Sequence, residues 1–219
     1  MQLSSKLPQD PLPIFEKWLA DAKADGVLPN PDAMALSTVN SEGQPSTRIV
    51  LCKQIVTDPG YLVFYTNYES AKGQDLLQSQ HVSGVFHWDH LNRQVRFQGL
   101  AIRSPQEESD AYFATRDKES QISAWASAQS QPIPSRRALE QKHVLTTRKL
   151  ADMATKSGQA DIPRPPFWGG YRVWIASLEF WVRGQARLHD RGRWERSLEP
   201  REDNGSFKPG NWASVRIQP

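Results

Sequence analysis

A single cysteine, Cys52, stands in 219 residues. No intrachain disulfide can form, and a reducing compartment is expected. Histidine is scarce too, at 5 residues. The chain has no Cys and His set with the spacing of a structural zinc site, so no metal is expected. Long apolar runs are missing: none approaches the ~20 residues of a membrane span, and Met1 to Lys6 lacks the apolar core of a secretory signal. Neither sign of charge dominates, because 27 Lys and Arg face 24 Asp and Glu for a net +3. The basic residues stand singly among acids, which gives no clustered footprint for nucleic acid. Internal repeats and linkers are absent as well. The expectation is a cytoplasmic protein folded as one domain over residues 1–219, with no membrane and no nucleic acid as partner.

What the chain does have is aromatic surface and turn formers. Eight Trp, 8 Phe and 5 Tyr supply a core, and 16 Pro with 13 Gly punctuate short β-branched runs. An arm and an amphipathic helix, Pro13 to Ala24, occupy residues 1–30, with Ile14, Trp18 and Ala22 at helical spacing and Gly26 as the stop. Strands follow over 31–103: Met34 to Val39 and Thr47 to Ile55 as a hairpin around Asn40 to Gly43, then Tyr61 to Thr66, His81 to Trp88 and Arg93 to Arg103. A short helix from Ser70 to Gln78 interrupts them, with Ser70 as its cap. Residues 104–160 read as a helical insert. Ser104-Pro105-Gln106-Glu107 forms a capping box opening a helix to about Thr115. Glu119 to Ser127 and Ser135 to Lys156 follow, the last with Leu139, His143, Thr146, Leu150 and Met153 on one face. Over 167–219 strands return as Tyr171 to Ala176, Leu178 to Val182, Arg187 to Arg196 and Trp212 to Ile217. The fold class is mainly β with helices, α+β, and the sheet is expected to be antiparallel and closed.

Several stretches carry chemistry. In an extended strand Arg187, His189 and Arg191 share one face, which brings two guanidiniums and an imidazole to one surface suited to a small anion. Arg48 and Lys53 end an apolar strand, although their opposite parity sends them to different faces of a regular strand. Tyr65-Thr66-Asn67-Tyr68-Glu69-Ser70-Ala71-Lys72 leads from a strand into a helix start, where free amides and a cation meet as in a phosphate site. Tyr112, Arg116 and Ser120 recur every four residues, a second phosphate clasp if one helix carries all three. Gln94 offers a donor and an acceptor to a heterocycle edge. Each stretch taken singly is equally the solvated end of a strand or face of a helix.

Taken in order, they form a series: Arg48-Ile49-Val50-Leu51-Cys52-Lys53, Phe64-Tyr65-Thr66-Asn67, Arg93-Gln94-Val95, Ser120-Gln121-Ile122 with Ala124-Trp125, Trp168-Gly169-Gly170, Glu179-Phe180-Trp181 and Arg187-Leu188-His189-Asp190-Arg191. From about Pro31 to Pro219 this series resembles the pyridoxine 5′-phosphate oxidase family of FMN-dependent enzymes. The resemblance implies an antiparallel split β-barrel and a homodimer with FMN in clefts at the subunit interface. It also implies oxidation of pyridoxine 5′-phosphate or pyridoxamine 5′-phosphate to pyridoxal 5′-phosphate, with O2 as acceptor.

Residue by residue, the resemblance assigns Arg48, Lys72 and Ser130, with Gln129 beside them, to the FMN phosphate. Ile49, Val50, Leu51, Lys53, Tyr65, Thr66, Gln94, Trp181 and Arg191 would complete the flavin site. Lys53, Tyr112, Arg116 and Ser120 would hold the substrate phosphate, and Arg187, Leu188 and His189 its ring, with Arg187 and His189 catalytic. Which group accepts the proton is open; His189 has the unperturbed pKa for it, near ~6.5. Two positions depart from the family pattern. Ala71 replaces an arginine before Lys72, and Asp117 replaces a proline after Arg116. Two other readings stand beside this one: a related flavin oxidase of phenazine biosynthesis, and a non-catalytic binder of flavin or B6 phosphates.

Overall fold

A computed structural model describes residues 2–158, 161–202 and 205–219. Its first element is helix α1, Leu12–Ala24, which buries Leu12, Phe15, Trp18, Leu19 and Ala22. Trp18 meets Phe180 edge-on at 5.0 Å and Phe15 meets Phe86 at 5.2 Å, so the helix closes one end of the barrel core by T-shaped aromatic contact.

The strands are β1 (Ala33–Val39), β2 (Pro45–Leu51), β3 (Gln54–Val56) and β4 (Tyr61–Asn67). Helix α2 (Ala71–Gln78) intervenes before β5 (His81–Trp88) and β6 (Arg93–Arg103). Three helices follow, α3 (Gln106–Ala114), α4 (Lys118–Ala126) and α5 (Arg136–Ser157). Strand β7 (Trp168–Val182) then leads to β8 (Asp190–Glu195), β9 (Leu198–Pro200), β10 (Phe207–Pro209) and β11 (Ala213–Ile217).

Every pairing is antiparallel, and the main sheet runs β11-β8-β7-β6-β5-β1-β2, with β4 joined to β7 and β3 to β4. Strand β7 is the spine. One edge of it pairs with β6 over nearly its whole length; the other pairs first with β4, Tyr65 opposite Gly170, and further along with β8, Trp181 opposite Arg191. The inner face buries Met34, Leu36, Phe64, Phe97, Val173 and Phe180 as one cluster. No ladder joins β2 to β4 among the described residues. The barrel expected to be closed is therefore split along that seam.

Several elements differ from the sequence reading for identifiable reasons. The strand expected over Thr47 to Ile55 breaks after Leu51: the Cys52 amide donates to Asp32 O at 2.8 Å, and the Lys53 amide to Val63 O at 2.8 Å. The backbone thus changes partner from β1 to β4, which removes the parity conflict between Arg48 and Lys53. The capping box at Ser104 does not form; Pro105 is the cap, and the Ser104 hydroxyl instead donates to Glu108 Oε1 at 2.8 Å. Tyr112, Arg116 and Ser120 do not share one helix. The chain turns between Ala114 and Lys118, where Asp117 accepts from the Ser120 amide and caps α4. On α5 the expected face is the packed one at its centre, with Leu150 buried and His143 and Thr146 half-buried, while Leu139 and Met153 at its ends are 39% and 45% exposed. The strand expected from Arg187 starts only at Asp190, behind a turn over Gln185–Arg187. Strands β9 and β10 have too few residues to carry a periodicity and were not foreseen. Among the described residues, no helix is long and apolar enough to cross a membrane.

Arg196 fastens the two halves of the spine's outer edge. Its Nε donates to Ile175 O at 2.8 Å, Nη1 to Pro59 O at 3.0 Å and Nη2 to Gly60 O at 2.8 Å, while its plane lies 4.2 Å from the Trp212 ring. Burial pushes its pKa down to about 10, against the attraction of Asp10. Arg196→Ala removes three donors from these carbonyls, leaving Gly60 O only the Ile175 amide at 3.3 Å, and should cost on the order of 3 kcal/mol. In thermal unfolding that corresponds to a midpoint lower by roughly 10 °C; an unchanged midpoint contradicts the fastening role.

Candidate active site

A cleft of about 480 Å³ lies in the seam between β2 and β4. Its floor begins with Lys72. Ser70 caps α2 by accepting from the Gly73 amide, and this local geometry turns the Lys72 side chain inward, where the residue is only 7% exposed. Its ammonium donates to Gln129 Oε1 at 2.7 Å, Thr66 Oγ1 at 3.0 Å and Ser70 Oγ at 3.1 Å. All three acceptors are neutral. Burial, with Arg48 next in effect, pushes the Lys72 pKa down to about 8. A buried ammonium without a carboxylate is an incomplete ion pair, and an anion completes it.

Arg48 stands beside it on β2. It donates to Thr38 Oγ1 at 2.7 Å, Leu36 O at 3.2 Å and Ser46 Oγ at 3.0 Å, and its nearest acid, Asp75, is 3.8 Å away. Burial lowers its pKa while Asp75 opposes this. Ala71, the departure from the family pattern, opens α2 and is exposed.

The opposite wall is aromatic and ends in a second pair of cations. Tyr65 stacks on Tyr112 with centroids 3.8 Å apart and planes at 9°, and on Trp168 at 5.6 Å and 11°. Burial raises the Tyr65 pKa, so the phenol stays neutral. Arg116 lies 4.6 Å over the Trp168 ring, and its buried Nη1 has no hydrogen-bond partner. Desolvation lowers its pKa as well. Lys53 reaches the cleft from the β2–β3 break and pairs with Asp32 at 3.0 Å.

Gly169 and Gly170 let the wall form. A Cβ on Gly169 would lie 2.1 Å from the Tyr68 hydroxyl, and one on Gly170 2.9 Å from the Tyr65 ring. The cleft therefore brings together Arg48, Ile49, Val50, Leu51, Lys53, Tyr65, Thr66, Lys72, Tyr112, Arg116 and Gln129 from the sequence-derived set. Trp168 and Asp32 belong beside them and were missed as site residues. Trp168 stood in a motif whose aromatic was visible; Asp32 carried no signal, being 21 residues from Lys53.

The remaining candidates lie elsewhere. Ser120 starts α4 and Ser130 sits in a turn with φ +71°; neither lines the cleft. Gln94, Trp181 and Arg191 stand side by side across β6, β7 and β8. Arg191 is committed to Glu179 Oε1, at 2.7 and 3.0 Å, and to Gln218 O at 2.9 Å. Arg187 is exposed with φ +64°, Leu188 is 75% exposed, and His189 leans on Trp181 at 4.6 Å. The single face expected for Arg187, His189 and Arg191 does not exist, because Arg187 lies in the turn rather than in β8. From Gly170, opposite Tyr65, to Val182 is roughly 40 Å of strand path, so this group follows the opposite end of β7 from the end that pairs with β4.

An antiparallel barrel opened along one seam, with cationic sockets inside that seam, defines a split-barrel protein. Residues 20–147 match a family model described as pyridoxamine 5′-phosphate oxidase, and residues 168–219 one described as the pyridoxine 5′-phosphate oxidase C-terminal dimerisation region. A pyridoxine/pyridoxamine 5′-phosphate oxidase of Bartonella henselae is 46% identical over 183 residues, 84% of each chain. One of Cupriavidus taiwanensis is 43% identical over 216 residues, 98% of this chain and 92% of that one. Among solved structures, PhzG from Burkholderia lata in complex with tetrahydrophenazine-1-carboxylic acid is similar with a TM-score of 0.80 at 27% identity, covering 100% of both chains. The chain belongs to the pyridoxamine 5′-phosphate oxidase family and is an oxidoreductase.

Lys72 makes the first socket sensitive to pH. Its folded pKa, about 8, lies below the ordinary lysine value of 10.5, so between about 8 and 10.5 the unfolded chain binds more protons and this group's contribution to stability rises with pH. Anion binding runs the other way, since it needs the ammonium. Inorganic phosphate should raise the melting temperature of the protein, freed of bound small molecules, at pH 7. That shift should shrink above pH 8, with affinity falling up to tenfold per unit, and Lys72→Met should abolish it. An equal phosphate shift at pH 7 and pH 9.5 contradicts the assignment.

Proposed function

We propose that the chain oxidises the phosphorylated B6 vitamers with FMN as resident cofactor. Pyridoxine 5′-phosphate and O2 give pyridoxal 5′-phosphate and H2O2; pyridoxamine 5′-phosphate, O2 and water give the same aldehyde, ammonia and H2O2. The observation that carries this reading is the pair of cationic sockets in one cleft: Lys72, which meets only neutral oxygens, with Arg48, and Arg116, whose buried Nη1 has no partner, with Lys53, both beside an aromatic wall. Two phosphates on two stacked planar rings need that arrangement. The incomplete ion pair at Lys72 fits the FMN phosphate, which the free amides at the start of α2 would also attract. Bound FMN would supply the hydride acceptor.

The chain's own residues do the rest. Arg116, Lys53 and Tyr112 would hold the substrate phosphate, and Tyr65, Thr66, Val50 and Leu51 would fix the plane of the flavin. The substrate carbon loses a hydride and its C4′ oxygen or nitrogen loses a proton, so the protein aligns one and receives the other. Arg187 and Leu188, with His189 and Trp181, would cover the substrate from a second copy of the chain. Two observations support this: they lie towards the end of β7 opposite the end that pairs with β4, and the region from 168 matches a dimerisation region. Ile49, Leu188 and Val215, 66%, 75% and 47% exposed, are apolar surface that a partner would cover. Gln94 and Arg191 would face the flavin from the same side.

A second reading, oxidation of a phenazine precursor, is favoured by the similarity to PhzG. The Arg116 and Lys53 socket argues for a phosphorylated substrate instead. FMN-loaded protein under air should convert pyridoxine 5′-phosphate to an aldehyde with one H2O2 each. Arg187→Ala should lower kcat/KM by about 10²-fold with FMN retained. Turnover of tetrahydrophenazine-1-carboxylic acid but not of the B6 phosphates would overturn the proposal.

A further inference from the structure

The turn between β7 and β8 is built around one side-chain hydrogen bond. Ala186 has φ +50° and Arg187 φ +64°, two successive residues in the left-handed region that side chains disfavour. Such a turn persists only when its surroundings fix it. Outside it, the Arg183 amide donates to Asn92 O at 3.0 Å, and Asp190 accepts from the Leu3 amide at 2.7 Å and faces Arg216 at 3.5 Å. Inside it, the Leu188 amide donates to Gln185 O and the His189 amide to Arg187 O, both at 2.9 Å. Among the described residues, one side chain of the turn ties its start to its end: the Gly184 amide donates to His189 Nδ1 at 3.2 Å. Position 184 admits glycine alone, since a Cβ there would lie 1.8 Å from Leu188 O. The Trp181 ring, 4.6 Å away, backs the imidazole.

A backbone amide can only donate, so Nδ1 must be the unprotonated acceptor. A neutral ring then carries its proton on Nε2, which becomes a donor. The nitrogen that could take a proton is already occupied by Gly184. The geometry points to His189 as a positioning residue: its Nδ1 clamps Gly184 and thereby holds Arg187 in the conformation that presents its guanidinium. This deepens the oxidase reading and rests on it, because Arg187 is the group being positioned. It removes His189 from the groups that could accept the substrate proton, a choice the sequence left open.

The test uses the FMN-loaded enzyme and two amides. In His189→Asn the amide oxygen stands where Nδ1 stood and can accept from Gly184; in His189→Gln the amide reaches the place of Nε2 instead. His189→Asn should keep about a third of kcat, and His189→Gln should fall about 10²-fold, the cost of a misplaced catalytic group. Adding Arg187→Ala to His189→Gln should then lower kcat little further, since one function has been removed twice. Any other ranking of the two amides, or additive losses, overturns the clamp. Nitrogen-15 NMR of the histidine ring in the wild type reads the tautomer without turnover. An unprotonated Nδ1 with a protonated Nε2 is expected, and a protonated Nδ1 refutes the clamp even if the oxidase activity stands. Absence of B6 phosphate oxidation in the wild type, with that tautomer present, would sink the oxidase reading alone.

Discussion

A buried ammonium that meets only neutral oxygens organises this protein. Lys72 sits under β4 with Thr66, Ser70 and Gln129 around it and Arg48 alongside, so two positive charges share a desolvated corner. Left alone, that corner stores unfavourable electrostatic energy; an anion releases it. The capped start of α2 adds its free amides to the same point. A phosphate held there would fix where an attached ring lies, and the stacked Tyr65, Tyr112 and Trp168 line the same cleft as Arg116.

The second constraint is length. Strand β7 carries β4 on one half of its outer edge and β8 on the other, and the turn with Arg187 and His189 follows its far end. On the proposed oxidase reading a second copy of the chain would complete the cleft, each copy contributing the piece that the other lacks. The exposed Leu188 beside Arg187 fits a turn meant to be buried by a partner.

Much of this was legible in the residues. The helix cap Ser70 and the strands β5 and β6 follow from spacing and turn chemistry alone. The resemblance supplied the cleft residues that no periodicity could, because their meeting joins segments remote in sequence, as with Thr66 and Gln129, 63 residues apart. What stayed hidden were changes of backbone partner. The switch at Cys52 and Lys53 depends on Asp32 and Val63, both remote in sequence. Ala186 and Arg187 adopt positive φ with no glycine to announce it. Asp117 was a readable cap for α4, but the four-residue spacing of Tyr112, Arg116 and Ser120 suggested a helix that the cap in fact divides.

The central claim is that one working cleft takes Lys72 from one copy of the chain and Arg187 from another. Hybrid dimers test it directly: Lys72→Met and Arg187→Ala chains carry different tags, each inactive as a homodimer, and are co-expressed and purified through both tags. If the cleft is shared, one of the two sites in the hybrid is free of both substitutions, and about half the wild-type turnover per dimer returns. A hybrid no more active than its parents would mean that both residues serve the same chain's cleft, or no common cleft at all, and would contradict the account.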